Sequence, residues 1–285
     1  MNPLKNMPEI PMGYHPGAFG AIRKHDVHTG VDLYCEPGDE VFSIGSGEVV
    51  AIVDFTGEAV GTPWWHNTKV VIVQQDQIEG HILYGEIEPL VSVGQKLNTG
   101  DVIGKVVTVL KKDKGLPMTM LHLEYYNKYF DLKPVEWLIG DLMPNYLANP
   151  YKLLSKNNVD DMDRKQGFWD ERDDRTSLHD EVCYINGDAE GFGQWGSDRK
   201  LAYGYYKKGM REGEWKIIDQ RKGILTYSAE FVNSIQHGRT FAYTFSFVEE
   251  YTYVFADNGL WSGELIVVDY ELKDDPNLGA QLITP

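Results

Sequence analysis

Three things are scarce in this 285-residue sequence. Cysteine is one: Cys35 and Cys183 are the two thiols, and they lie far apart. They make no disulfide framework and do not require an oxidising compartment, so both are expected as buried free thiols. Positive charge is another. Lys and Arg number 27 against 43 Asp and Glu, a formal net charge of -16. The tightest basic cluster, Lys111, Lys112 and Lys114, is interrupted by Asp113. An acidic chain is repelled by phosphate backbones, which weighs against nucleic acid as a partner and against passive adsorption to an anionic wall or membrane. Long apolar runs are the third. No stretch is long enough to span a bilayer, and the opening "MNPLKNMPEIPMGYHPG" has no apolar signal core. A soluble chain without a standard signal peptide is expected.

What is present points to a folded, mainly β protein. Apolar residues make up 42% and aromatics 12%, enough to bury a core, and 29 glycines punctuate short apolar runs. The length suits two domains. Residues 1–20 are Pro- and Gly-rich and read as an extended N-terminal lead-in. Residues 21–140 read as an antiparallel β domain. In it, "EVFSIGSGEVVAIVDF" reads as a hairpin turning at Gly45 and Gly47. "KVVIVQQDQIEGHILYGEI" reads as a second hairpin, and "LVSVGQKLNTGDVIGKVVTVL" as two short strands. Residues 141–179 are highly charged and weakly patterned, and read as a linker with short helices. Residues 180–272 hold a repeat, and residues 273–285 are a tail. The repeat aligns on Gly191, Gly213, Gly238 and Gly263, with an earlier small residue at Gly187, Gly209, Ser234 and Gly259. A fixed period predicts stacked β-hairpins. The pattern resembles MORN- or YwqK-like repeats, which implies an extended hairpin sheet suited to assembly or self-association.

Residues 28–32 read "HTGVD" and residues 120–124 read "MLHLE". His28 and Asp32 are an imidazole and a carboxylate four residues apart, both good Zn²⁺ ligands, although H-x-x-x-D alone is a weak signal. Its surroundings add to it. "HTGVDLYCEPGDEVFSIGSGEVVAI" resembles the opening of the lysostaphin-type (M23) zinc endopeptidases. "YGEIEPLVSVGQKLNTGDVIGKV", "MLHLEYY" and "LKPVEWL" resemble that family's later blocks in the same order. The resemblance covers about residues 20 to 140 and implies an M23-type fold, similar to a duplicated hybrid motif. It implies Zn²⁺ held by His28, Asp32 and His122, and peptidoglycan peptide as the substrate class.

Two further histidines of the family pattern are replaced. Glu86 stands at one position and Met120 at the other, and "KKDKGLPMT" replaces the usual loop before the signature. A thioether can neither transfer a proton nor donate to an oxyanion. Two readings follow. In one, Glu86 serves as general base in a peptidase carried outside the cell by a phage-like particle. In the other, the domain is catalytically degenerate and serves in assembly or binding to a protein partner. Glu124 is expected to support His122 from behind, and Met120, Tyr84, Trp64 and Trp65 to line the groove. His66, after the two tryptophans, is a further donor candidate, and His81 reads as structural.

Overall fold

The computed structural model describes the chain except residues 114, 129, 155–157, 174–177, 198, 245–246, 256–260, 263–264 and 269–285. It describes side chains as far as Gln236, Asp173 excepted. The protein is mainly β and divides into two units. One comprises Met1–Ile139 with Tyr146–Ser155, the other Gly140–Asn145 with Lys156–Pro285. Among the described residues no helix is long and apolar enough to cross a membrane.

The first unit is built on β1 (Val31–Tyr34), β2 (Glu40–Phe42), β3 (Gly47–Thr56), β4 (Thr68–Gln75), β5 (His81–Pro89), β6 (Lys96–Leu97), β7 (Val102–Val106), β8 (Met120–Tyr126) and β9 (Leu147–Ala148). Its sheet runs in the order β1-β8-β5-β4-β3-β6, with β7 joining β5 to β2 and β9 on β8. Val70, Val71, Ile72 and Val73 of β4 are all fully buried, as are Ile82, Leu83 and Tyr84 of β5. Consecutive apolar residues survive in a strand only where both faces are covered. β4 and β5 form the expected hairpin. The other expected hairpin does not form: β2 pairs with β7, and β3 pairs with β4 and β6. Local pattern marks both segments as strands but cannot choose their partners. The lead-in is packed rather than loose. Leu4, Ala18 and Phe19 are buried, Leu4 bridges Val41, and the Tyr151 hydroxyl donates to the Pro11 carbonyl.

After the short helix α1 (Tyr151–Leu154) the second unit follows. It comprises β10 (Asn158–Val159), β11 (Lys165–Asp173), β12 (Leu178–Ile185), β13 (Asp188–Gly196), β14 (Lys200–Lys207), β15 (Met210–Asp219), β16 (Ile224–Val232), β17 (Ile235–Thr244), β18 (Phe247–Phe255), β19 (Trp261–Ser262) and β20 (Leu265–Val268). β10 to β19 pair in sequence order, and β20 returns to β18. β11 lies inside the stretch expected to be a linker with short helices. Its charges hide the pattern: Phe168 is buried, while Lys165 pairs with Glu171 and lies over the Trp169 ring. The repeat's small residues fall at two-residue turns, Asn186–Gly187, Lys208–Gly209 and Asn233–Ser234, all at positive φ. Positive φ at both positions is what a type I′ hairpin needs to match strand twist. The later glycines, Gly191, Gly213 and Gly238, fall where the ladder shifts register. Gly259, Gly263 and the tail lie outside the described residues.

Candidate metal centre

β1 and β8 are antiparallel neighbours, and Asp32 lies directly opposite His122. Strand alternation sends Met120, His122 and Glu124 to one face of β8 and the fully buried Leu121 and Leu123 to the other. His28 arrives from the segment entering β1, its Nδ1 2.9 Å from the Ala18 carbonyl oxygen. Gly30 makes that entry possible. A β-carbon there would lie 2.6 Å from the Leu123 oxygen and 2.7 Å from His122 Nε2. Only a residue without a side chain lets the segment pass over the His122 ring, which gives the "HTGVD" spacing a physical reason.

His28, Asp32 and His122 offer ligand atoms that all lie within 4.8 Å of one another, and all three residues are buried. His122 Nδ1 is 2.8 Å from Asp32 Oδ1 and 3.2 Å from His28 Nε2, which is itself 3.2 Å from Asp32 Oδ1. The remaining ring nitrogens face acceptors. His28 Nδ1 donates to Ala18, and His122 Nε2 donates to Glu124 Oε1 at 3.0 Å. Those bonds leave His28 Nε2 and His122 Nδ1 aimed at the centre, the arrangement by which outer hydrogen bonds orient metal-binding imidazoles. Glu124 is held in turn by Thr29 and Tyr126, each donating at 2.5 Å. Arg23 Nη2 binds Asp32 Oδ2 at 2.7 Å, which turns Oδ1 inward.

The electrostatics fit a cation. Burial lowers the pKa of His28. Burial also opposes the charge on Asp32, but His28, His122 and Arg23 hold its carboxyl well below the usual range. His122 is pushed up to about 10: burial opposes its charge, and hydrogen bonds to Asp32 and Glu124 outweigh burial. A proton on Nδ1 thus satisfies the lone pairs of Asp32 and His28. A divalent cation would satisfy the same two imidazoles and one carboxylate, a donor set that suits Zn²⁺.

The three residues line a cavity of about 510 Å³, with Glu86, Met120, Tyr34, Arg23, Phe55 and Trp65 on its walls. Glu86 reaches it through an irregularity. The β4–β5 ladder slips between Lys69 and Val70, leaving Glu86 as an extra residue at φ 66°. Simple alternation would have put it on the face of Tyr84, away from Gly85, which pairs with His122. The Glu86 carboxyl is buried, with Oε2 unpartnered. Burial, then the charge of Asp32, pushes its pKa up to about 8.

The structure brings His28, Asp32, His122, Glu86, Met120, Glu124 and Trp65 together. It does not bring in Tyr84, which is fully buried with its hydroxyl accepting from the Ile44 amide. Trp64 and His66 are exposed and do not line the cavity. Between them, Trp65 lines the cavity. His81 opens β5 against Phe130. Cys35 is half-buried and Cys183 buried, and neither forms a disulfide among the described residues. Arg23, Thr29, Tyr34 and Tyr126 were missed from the sequence. Period-two alternation from Asp32 and Glu124 points to Tyr34 and Tyr126; nothing local marks Arg23.

Residues 26–134, which lie in the first unit, match the model of peptidase family M23. No curated protein matches the chain. Among solved structures, one described as the identification and structural characterization of LytU is similar at 19% identity. That match covers 53% of this chain and 86% of that one, with a TM-score of 0.34. The antimicrobial peptidase lysostaphin from Staphylococcus simulans is similar at 13% identity, over 90% of this chain and 94% of that one, with a TM-score of 0.34.

Proposed function

We propose that the first unit is a zinc-dependent endopeptidase acting on peptidoglycan cross-link peptides. The observation that carries this reading is the convergence of His28 Nε2, Asp32 Oδ1 and His122 Nδ1 in a buried pocket that opens to a cavity. The residues fit Zn²⁺, which when bound polarises a carbonyl and lowers the pKa of water. The chain's own groups supply the rest. Ala18 and Glu124 orient the imidazoles, and Arg23 holds the carboxylate. Glu86 accepts the proton of the attacking water and returns it to the departing amine. A cation beside Asp32 favours the ionised Glu86 that this role requires.

Met120 on the wall favours a second reading, a degenerate M23-fold module used for binding or assembly. On either reading the MORN-like hairpins of the second unit serve as the recognition or self-association surface, and a phage-like particle is the proposed carrier.

Metal analysis and peptidoglycan turbidity separate the two. The purified chain should hold about one Zn²⁺ and clear isolated peptidoglycan. His122→Ala should lose the metal, and Glu86→Gln should keep it while losing hydrolysis. Full zinc occupancy in His122→Ala would overturn the ligand assignment. Zinc without clearing would leave the degenerate module.

A further inference from the structure

Hydrolysis of an amide puts negative charge on the carbonyl oxygen, and a donor aimed at that oxygen is worth about 10²- to 10³-fold in rate. The cavity wall offers few. Met120 has no donor. Arg23 commits Nη2 to Asp32 and Nε to the Pro16 carbonyl. Four hydroxyl side chains line the cavity: Thr29, Tyr34, Thr56 and Thr62. Thr29 donates to Glu124, Thr56 to the His66 carbonyl and Thr62 to the Gly57 carbonyl. Tyr34 is the exception. Among the described residues its hydroxyl makes no hydrogen bond, and its ring rests edge-on to His15.

Its position is specific. Tyr34 follows Asp32 by two residues on β1, so it shares that ligand's face, and it lies directly opposite Met120 on β8. The hydroxyl sits over Gly17. A β-carbon on Gly17 would be 2.9 Å from the Tyr34 oxygen and 3.2 Å from the Asp32 β-carbon. The phenol therefore reaches along the wall beside the ligand carboxylate, in room that a glycine leaves open. On the same wall the Glu86 carboxyl has its Oε2 unpartnered. Of the cavity's hydroxyls Tyr34 alone is uncommitted among the described residues, and Glu86 Oε2 lines the same cavity as an uncommitted acceptor.

We infer that Tyr34 donates the hydrogen bond that stabilises the carbonyl oxygen during the cleavage proposed above, on which this inference rests. In that step the water oxygen bonds to the carbonyl carbon, the C=O π pair moves onto oxygen, and a water proton passes to Glu86. On collapse the C–N bond breaks, and the proton on Glu86 goes to the amine. Tyr34 keeps its own proton throughout, and its hydrogen bond strengthens as charge develops on the oxygen.

The test uses the full zinc-loaded chain, dye-labelled peptidoglycan, and two small probes. These are D-alanylglycine and its phosphinate analogue, whose tetrahedral P–O⁻ stands for the attacked carbonyl. Tyr34→Phe should lower kcat about 10²-fold with KM within about twofold, the cost of one oxyanion donor. It should weaken the phosphinate by a similar factor and leave dipeptide affinity and zinc content unchanged. A wild type that cleaves, with Tyr34→Phe equal to it in kcat and phosphinate affinity, overturns the donor role and leaves the peptidase reading standing. Loss of zinc in Tyr34→Phe makes the residue structural and overturns the inference too. A zinc-loaded wild type that neither cleaves nor prefers the phosphinate sinks the peptidase reading, and the donor role with it.

Discussion

At the scale of single residues, the centre depends on groups that never touch the ligand point. Glu124 receives three donors, from His122, Thr29 and Tyr126, and these outweigh the burial that opposes its charge. Glu124→Gln would still accept a bond but would no longer balance a charged centre. Removing such an outer partner typically weakens metal affinity about 10- to 100-fold, and the same loss is expected here in a chelator competition. Gly30→Ala is expected to do more damage, because the new β-carbon would meet the Leu123 backbone and the His122 ring together. Unchanged zinc affinity in Gly30→Ala would disprove this account of the "HTGVD" glycine. Glu86 gives a pH signature. In the metal-free chain its pKa is raised from 4.5 to about 8. The unfolded chain releases that proton near 4.5 and the folded chain keeps it to about 8. Stability from this group is therefore complete below the lower value and is lost as pH rises through the upper one. Chelator-treated Glu86→Gln should lack this decline in Tm across that window; an identical slope in both proteins would show that Glu86 is not the group responsible.

At the scale of elements, one irregularity decides where Glu86 lies. A regular β5 would carry Glu86 into the core beside Tyr84. The bulge turns it into the cavity, at the cost of a left-handed conformation for a residue with a side chain. No local turn signal predicts this, since the slip comes from how β4 pairs with β5. The hairpins of the second unit are the opposite case, because their turns are written in the sequence as Asn186–Gly187 and Lys208–Gly209. Lys208 occupies the left-handed first position, φ 51°, where asparagine stands in the neighbouring hairpin. Lys208→Asn should stabilise the second unit by about 0.5–1 kcal/mol, because asparagine tolerates that region better than lysine. Thermal unfolding measures it, and a lowered Tm would count against the type I′ assignment.

At the scale of the whole molecule, the chain divides into two compact units, and His28, Asp32 and His122 all belong to the first. A ligand stabilises what it binds in proportion to its occupancy, by about 2.7 kcal/mol at one hundred times Kd. Added zinc should raise the melting of the first unit and leave that of the second unmoved; calorimetry with and without chelator reads both. A zinc shift confined to the second unit would be incompatible with the site. Much of this molecule was legible from its sequence. Period-two runs and glycine turns marked the strands, because side-chain alternation and positive φ are local properties. The resemblance singled out His28, Asp32 and His122, and the structure brings them together because the chain closes their geometry over short segments and one strand pair. Other features were set only by the tertiary structure. Strand β2 found a distant partner, the charged β11 became a strand through its ladder with β12, and Glu86 swung to the cavity on a bulge. Arg23 joined the site through a side-chain contact with Asp32 that no local pattern records. Long-range pairing and close approach decide which face a side chain meets, and neither leaves a period in the sequence.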